Sequence, residues 1–269
     1  MDALTAIENK LTIKKEAYPL TTKKQFCEGL HRLGVQPGDV LLVHSAMKPL
    51  GPVEDGCRGV IEALLEALTD TGTLLLPALT YATVTRENPV FSVSDTPSCV
   101  GKLSEAFRTK PGVRRSVHPT HSMCAVGRLA AEMLSGHEDD RTPVGPHSPF
   151  RRLAEQGGKI LMLGCGLTPN TFMHGVEEEA GVPYCLSPDP IAYTCILPDG
   201  TRYTATYTPH LFEGITQRYD RAAALLDGDA LRFGRVALAE CALIDAAKLR
   251  RAALARMQTE PLYFVDRNG

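Results

Sequence analysis

The apolar positions of this chain follow two periods, one near 3.6 residues and one of short unbroken runs, and they divide most of it into elements. Residues 21–34 read as a helix, with Thr21 or Thr22 as N-cap. Gly38-Asp39 is a turn, and the run Val40 to Val43 reads as a short strand ending at His44-Ser45. A loop covers Ala46 to Gly56. Three- and four-residue apolar spacing over Val60 to Leu68 predicts a helix closed by Gly72, and Leu74 to Leu76 a second strand. Tyr81 to Pro97 reads as a long polar loop, Val100 to Arg108 as a helix, and Arg114 to Ser122 as a polar segment rich in His and Arg. Met123 to Val126 then reads as a strand, Arg128 to Leu134 as a helix, His137 to Pro149 as a loop, and Pro149 to Gln156 as a short helix.

The run Ile160 to Leu163 has the length and apolarity of a buried strand. It stops at Gly164-Cys165-Gly166, a polar turn with Pro169 follows, and a helix begins near Asn170 or Thr171. Further on, Ile191 to Leu197 and Thr201 to Tyr207 flank Pro198-Asp199-Gly200, a hairpin signal. Glu213 to Leu226 and Asp245 to Met257 read as helices, and Leu262 to Val265 as a last strand. Strands and helices thus alternate through the first two-thirds, and no stretch is biased enough to be a linker. The expected fold is one α/β domain over residues 1–269, a central mixed sheet flanked by helices with a β-hairpin embellishment in the C-terminal half.

A net charge of -2 gives no reason to expect nucleic acid or an anionic membrane as partner. No apolar run approaches the ~20 residues of a membrane span. The first twenty residues lack the apolar core of a secretory signal. The 8 cysteines are widely spread with no CxxC pair, which argues against a zinc ribbon or a disulfide scaffold and for reduced, mostly buried thiols in a cytoplasmic protein.

Four segments carry candidate chemistry. In LMLGCGLTPNTFMHGVEEE, Leu161 to Glu179, the expected helix puts His174 and Glu177 on one face. Its N-terminus favours developing negative charge. VHSAMKPLGPVEDG, Val43 to Gly56, lies between a strand and a helix, at the edge where α/β proteins bind ligands. His44, Ser45 and Lys48 there suit phosphate contacts, although the P-loop pattern is absent. RRSVHPTHS, Arg114 to Ser122, brings His118 and His121 close together. A metal would need a third ligand, and the spacing to His137 and His147 fits no metal motif. The loop Gly145 to Pro149 reads as a turn or helix start. Cys165 would be a nucleophile only with a base in reach, which His174 could supply.

In order along the chain, LLVHSAMKPLGPVEDGCRGVIEALLEAL, GTLLLPALTY, RRSVHPTHSMCAVG, HSPFRRL and ILMLGCGLTPNTFMHGVEEEAGVPY resemble the aminoglycoside 3-N-acetyltransferase family. The resemblance covers roughly Gly38 to Tyr184 well and the rest loosely. It implies one α/β domain around a central sheet. It also implies acetyl transfer from acetyl-coenzyme A to the 3-amino group of a 2-deoxystreptamine aminoglycoside, with no metal. It places the catalytic histidine at His174, and donor contacts around His44-Ser45, around Ser116 and His118, and near Thr171. His174 would act as general base for direct attack by the amine, with Thr171 or nearby backbone N–H groups stabilising the oxyanion. Glu177 or another acid would orient it, and a downstream alternative from TYTPHLFEGITQRYD, namely Glu213, His210 or Asp220, stays open.

A polycationic acceptor asks for an acidic cleft. Glu177, Glu178, Glu179, Asp189 and Glu213 are the acid candidates, with Tyr81 as a further acceptor contact. The expected assembly is a monomer or homodimer. The rival readings are a related acyl-coenzyme A-dependent enzyme for a different amine, a Cys165- or metal-dependent hydrolase, and a non-catalytic binder of drug or coenzyme A.

Overall fold

The computed structural model describes residues 18–268. The expectation about a secretory signal falls mainly on residues 1–17, outside the described residues. The helices are α1 Lys23–Leu33, α2 Cys57–Leu68, α3 Lys102–Arg108, α4 Ala130–Leu134, α5 Pro149–Glu155, α6 Phe172–Ala180 and α7 Ala246–Thr259. The strands are β1 Val40–Ser45, β2 Thr73–Pro77, β3 Val90–Ser92, β4 Arg114–Arg115, β5 Met123–Gly127 and β6 Lys159–Leu163. After α6 come β7 Ile191–Ile196, β8 Arg202–Tyr207, β9 Ile215–Gln217, β10 Leu231–Val236, β11 Ala239–Asp245 and β12 Val265–Arg267.

A seven-stranded mixed sheet in the order β10-β11-β6-β1-β2-β5-β4 is the centre of the molecule. β6, β1 and β2 run parallel, whereas β11 and β5 pair antiparallel to either side of them. Its inner strands read as unbroken apolar runs because helices cover both faces. Leu41, Val43, Leu74, Leu76, Leu161 and Leu163 pack with residues of α1, α2 and α3. Val40, Leu42, Leu75, Ile160 and Met162 pack on the opposite face with residues of α4, α5, α6 and α7. The chain leaves β1 toward α2 on one face and β6 toward α6 on the other. That divergence opens a crevice at the C-terminal ends of two neighbouring parallel strands, the usual place for a ligand in such sheets.

Local chemistry sets several boundaries. Thr22, not Thr21, caps α1 in a reciprocal capping box with Gln25, and Gly34 ends the helix at φ 117°. Asp245 caps α7 by accepting from the Lys248 N–H at 2.9 Å. β7 and β8 form the expected hairpin, with Gly200 at φ 85° in the turn. The short β3 adds parallel to β7 and makes a three-stranded sheet of it, so the expected loop from Tyr81 to Pro97 contains a strand.

The helix expected over Glu213 to Leu226 is not formed. Gly214 sits at φ 72°, Ile215 to Gln217 pair with β12, and only a 3-10 helix, Tyr219–Ala224, follows. An ion-pair network stabilises this arrangement. Arg218 binds Asp220 at 2.9 Å and Asp266 at 2.6 Å, and Arg221 binds Asp266 as well. β12 begins at Val265, later than the expected Leu262, because residues 261–264 form a turn. β10 and β11 carry no alternating pattern that announces them, since β11 is covered on both faces and β10 is a basic, Gly-containing edge. Among the described residues no helix is long and apolar enough to cross a membrane.

Candidate active site

The crevice widens into a cleft of about 730 Å3, within the ordinary range of small-molecule sites. β1 contributes His44 and Ser45, and the segment after β6 contributes Cys165, Thr168 to Thr171 and His174. Tyr81, Val84 and Arg86 form one side with Thr120 and His121. Ile191, Tyr193 and the stretch Pro209 to Phe212 form the other, with Tyr219 at the back.

His174 stands in the first turn of α6 and Glu177 lies one turn further on, fully buried. Glu177 Oε2 is 3.2 Å from His174 Nδ1. The Tyr219 hydroxyl lies between them, donating to Glu177 Oε2 at 2.7 Å with its oxygen 2.8 Å from His174 Nδ1. Tyr184 donates to the other carboxylate oxygen at 3.0 Å. Burial, and then the Glu177 carboxylate, raises the pKa of both phenols, so they remain protonated donors. A carboxylate only accepts, so these bonds put the imidazole proton on Nδ1 and leave the Nε2 lone pair available to the cleft.

The other cleft histidines are held neutral. Burial lowers His44 to about 3, with His174 adding repulsion. Burial also pushes His121 and His210 well below the ordinary histidine value, with neighbouring histidines adding to the effect. The rings of His174 and His210 lie 4.9 Å apart, and Phe212 stacks 4.8 Å from His174. Thr171 precedes α6 without a side-chain capping bond, which leaves its hydroxyl free at the helix N-terminus.

The expected site residues divide. His44, Ser45, Thr171, His174 and Tyr81 line one cleft, and Glu177 stands behind it. Lys48 is exposed in a short 3-10 helix, outside the lining. Ser116 and His118 are buried under the cleft wall with their polar atoms engaged. Ser116 Oγ accepts from the Met123 N–H and lies 2.9 Å from His137 Nδ1. His118 Nδ1 accepts from the N–H groups of Thr120 and His121, and its Nε2 lies 3.1 Å from the Thr142 carbonyl. His121, not His118, is the histidine of that segment that reaches the cleft.

The acids depart most from expectation. Glu178 accepts from Val144 N–H and meets His210, and Glu179 pairs with Arg250 and Arg151. Asp189 and Glu213 are exposed and outside the lining. Asp220 belongs to the Arg218 pair, so Glu177, rather than Asp220 or Glu213, is the acid beside His174. Among the described residues, the sole formally charged side chain lining the cleft is Arg86, whose Nη2 donates to the Asp189 carbonyl at 3.1 Å. Tyr219, Tyr193, Phe212 and Arg86 carry no sequence signal beyond their residue type.

Cys165 lines the cleft as a protonated thiol, pushed up to about 12 by burial. At pH ~8 its thiolate fraction is then about one in 10⁴. Iodoacetamide at that pH is expected to leave Cys165 unlabelled in the folded protein and to label it after denaturation; peptide mass mapping checks this. Among the described residues no group of three or more His, Cys, Asp or Glu is arranged to hold a metal ion.

Residues 42–258 match the family model described as Aminoglycoside 3-N-acetyltransferase. Aminoglycoside N(3)-acetyltransferase IV of Salmonella is 34% identical over 247 residues, covering 90% of each chain. A crystal structure of aminoglycoside acetyltransferase AAC(3)-IVa, a histidine-to-alanine variant in complex with a gentamicin, superposes with a TM-score of 0.78 at 31% identity and 93% coverage of both chains. The AAC-IIIb binary complex with CoASH gives 0.78 at 26% identity, covering 90% of this chain and 97% of that one.

Proposed function

Because this chain belongs to the aminoglycoside 3-N-acetyltransferase family, we propose that it moves an acetyl group from acetyl-coenzyme A to the 3-amino group of a 2-deoxystreptamine aminoglycoside. The observation that carries the mechanism is the His174 imidazole, tied through Nδ1 to Glu177 and Tyr219 with Nε2 left for the cleft. Nε2 accepts a proton from the amine as that nitrogen attacks the thioester carbonyl directly. Glu177 stabilises the charged imidazole and fixes its tautomer, while Tyr219 and Tyr184 hold the carboxylate in place. The Thr171 hydroxyl and the first N–H groups of α6 stabilise the tetrahedral oxyanion. Coenzyme A leaves as its thiol, and no acyl-enzyme forms. Of the expected donor-side contacts, His44 and Ser45, at the end of β1, and Thr171 face the cleft. The reduced thiols suit a cytoplasmic setting, where acetyl-coenzyme A is formed.

The test is thiol release from acetyl-coenzyme A with gentamicin, kanamycin, neomycin or apramycin as acceptor. Acceptor-dependent release, with N3 acetylation identified by NMR, is expected. Coenzyme A binding without release for any acceptor would transfer the assignment to a different amine, the one other reading favoured by an observation: the cleft wall carries an arginine and no facing carboxylate.

A further inference from the structure

We propose that His210 and Glu178 form a second proton-accepting dyad beside His174, and that it takes the first of the two protons the acceptor nitrogen must lose. This rests on the acetyl-transfer reading above. Two consecutive glutamates of α6 each hold a histidine on the cleft wall. Glu177 holds His174, and Glu178 Oε1 lies 2.7 Å from His210 Nε2. The same Oε1 accepts from the Val144 N–H at 2.8 Å. Both partners of the His210–Glu178 pair are deeply buried, with side chains 6% and 5% exposed.

A carboxylate accepts, so the proton of His210 sits on Nε2 and its Nδ1 is a bare lone pair. That nitrogen is buried and has no hydrogen-bond partner among the described residues. An unmet buried acceptor costs about 1–3 kcal/mol and calls for a functional reason. The His210 ring lines the cleft, its centroid 4.9 Å from that of the His174 ring.

Proton counting gives that reason. An aminoglycoside amine arrives largely as R–NH3+, and the amide product keeps one N–H. Two protons therefore leave the nitrogen, one reaches the departing sulfur, and one is released. The ammonium gives its first proton to His210 Nδ1 as the Nε2 proton passes to Glu178. The result is a neutral imidazole, a neutral carboxylic acid and a free amine. The amine lone pair forms the C–N bond. His174 Nε2 takes the second proton and gives it to sulfur as the C–S bond breaks. Glu178 then returns its proton through His210 to solvent.

The surroundings suit this relay. Burial raises Glu178 toward its protonated form and lowers His210, so the loaded dyad carries no buried charge. His121 and His174 pack edge-on against the His210 ring, and His174 and His118 disfavour an imidazolium there. Thr142, the Val144 N–H, His174, Arg151 and Asp140 are the polar groups acting on Glu178.

The test compares kcat/KM for the acceptor in His210→Gln and Glu178→Gln with the unaltered enzyme between about pH 6 and about pH 9. Coenzyme A affinity serves as the control for folding. Both variants are expected to lose about tenfold or more near pH 6.5, and to recover to within about threefold near pH 9, where the amine arrives already free. A loss of equal size at every pH, or an unchanged profile, overturns the proposal.

Should neither variant fold, acceptors of rising amine pKa are compared on the unaltered enzyme at neutral pH. Deprotonation on the enzyme predicts a fall much shallower than about tenfold per unit, and the full tenfold slope overturns it. Absence of acceptor-dependent thiol release in the unaltered enzyme would instead remove the underlying transferase reading, so the two failures are separate.

Discussion

Replacing His174 with alanine is expected to lower kcat/KM for the acceptor by about 10²- to 10⁴-fold, the usual contribution of a positioned general base. The loss should fall on kcat, because the imidazole acts while the proton moves and not while the substrates dock. The fold should survive. Glu177 keeps Tyr184 and Tyr219 as donors when the imidazole is gone, so no buried carboxylate is orphaned. Steady-state kinetics beside a coenzyme A titration and a thermal melt separate these quantities. An unchanged kcat in a folded variant would remove His174 from the mechanism and leave His210 as the cleft imidazole backed by an acid.

Glu177→Gln is expected to lose about 10²-fold or more in kcat with only small change in coenzyme A affinity. Glutamine keeps the volume but turns one acceptor into a donor. Facing His174 Nδ1, that amide favours the tautomer with its proton on Nε2, which cannot accept from the amine. Two phenols also point at the site, so one buried donor loses its acceptor. That costs about 1–3 kcal/mol, or roughly 2–12 °C in Tm for a chain of this size. Kinetics and calorimetry on the one variant read both effects. A variant with normal kcat would show that Tyr219 alone sets the imidazole tautomer.

The strands that build the crevice were legible because β1 and β6 are unbroken apolar runs, and such runs signal coverage on both faces. The pairing of His174 with Glu177 was legible too, because three-residue spacing on a helix is a contact rule. The direction of the neighbouring acids was not. Each step along a helix turns by about 100°, so Glu177, Glu178 and Glu179 point three ways, toward His174, toward Val144 and His210, and toward the arginines of α5 and α7. A sequence lists three acids in a row and omits what stands opposite each.

Tyr219 was hidden for a different reason. The apolar positions of residues 213–226 fit a helix, and long-range pairing of β9 with β12 overrides that local preference. Ser116 and His118 were misplaced because a polar segment of His and Arg looks the same whether its side chains face a ligand or satisfy one another under a wall.

β12 gives the order of synthesis a bearing on catalysis. His44, His174 and Glu177 emerge from the ribosome well before Asp266, yet Tyr219 is held by a latch that runs through Arg218 and Arg221 to Asp266. A nascent chain can therefore assemble the sheet and the histidine while its tyrosine is still unanchored. Turnover reports on the finished polypeptide, and a message that ends before Val265 would yield a protein that is folded in its centre and poorly active.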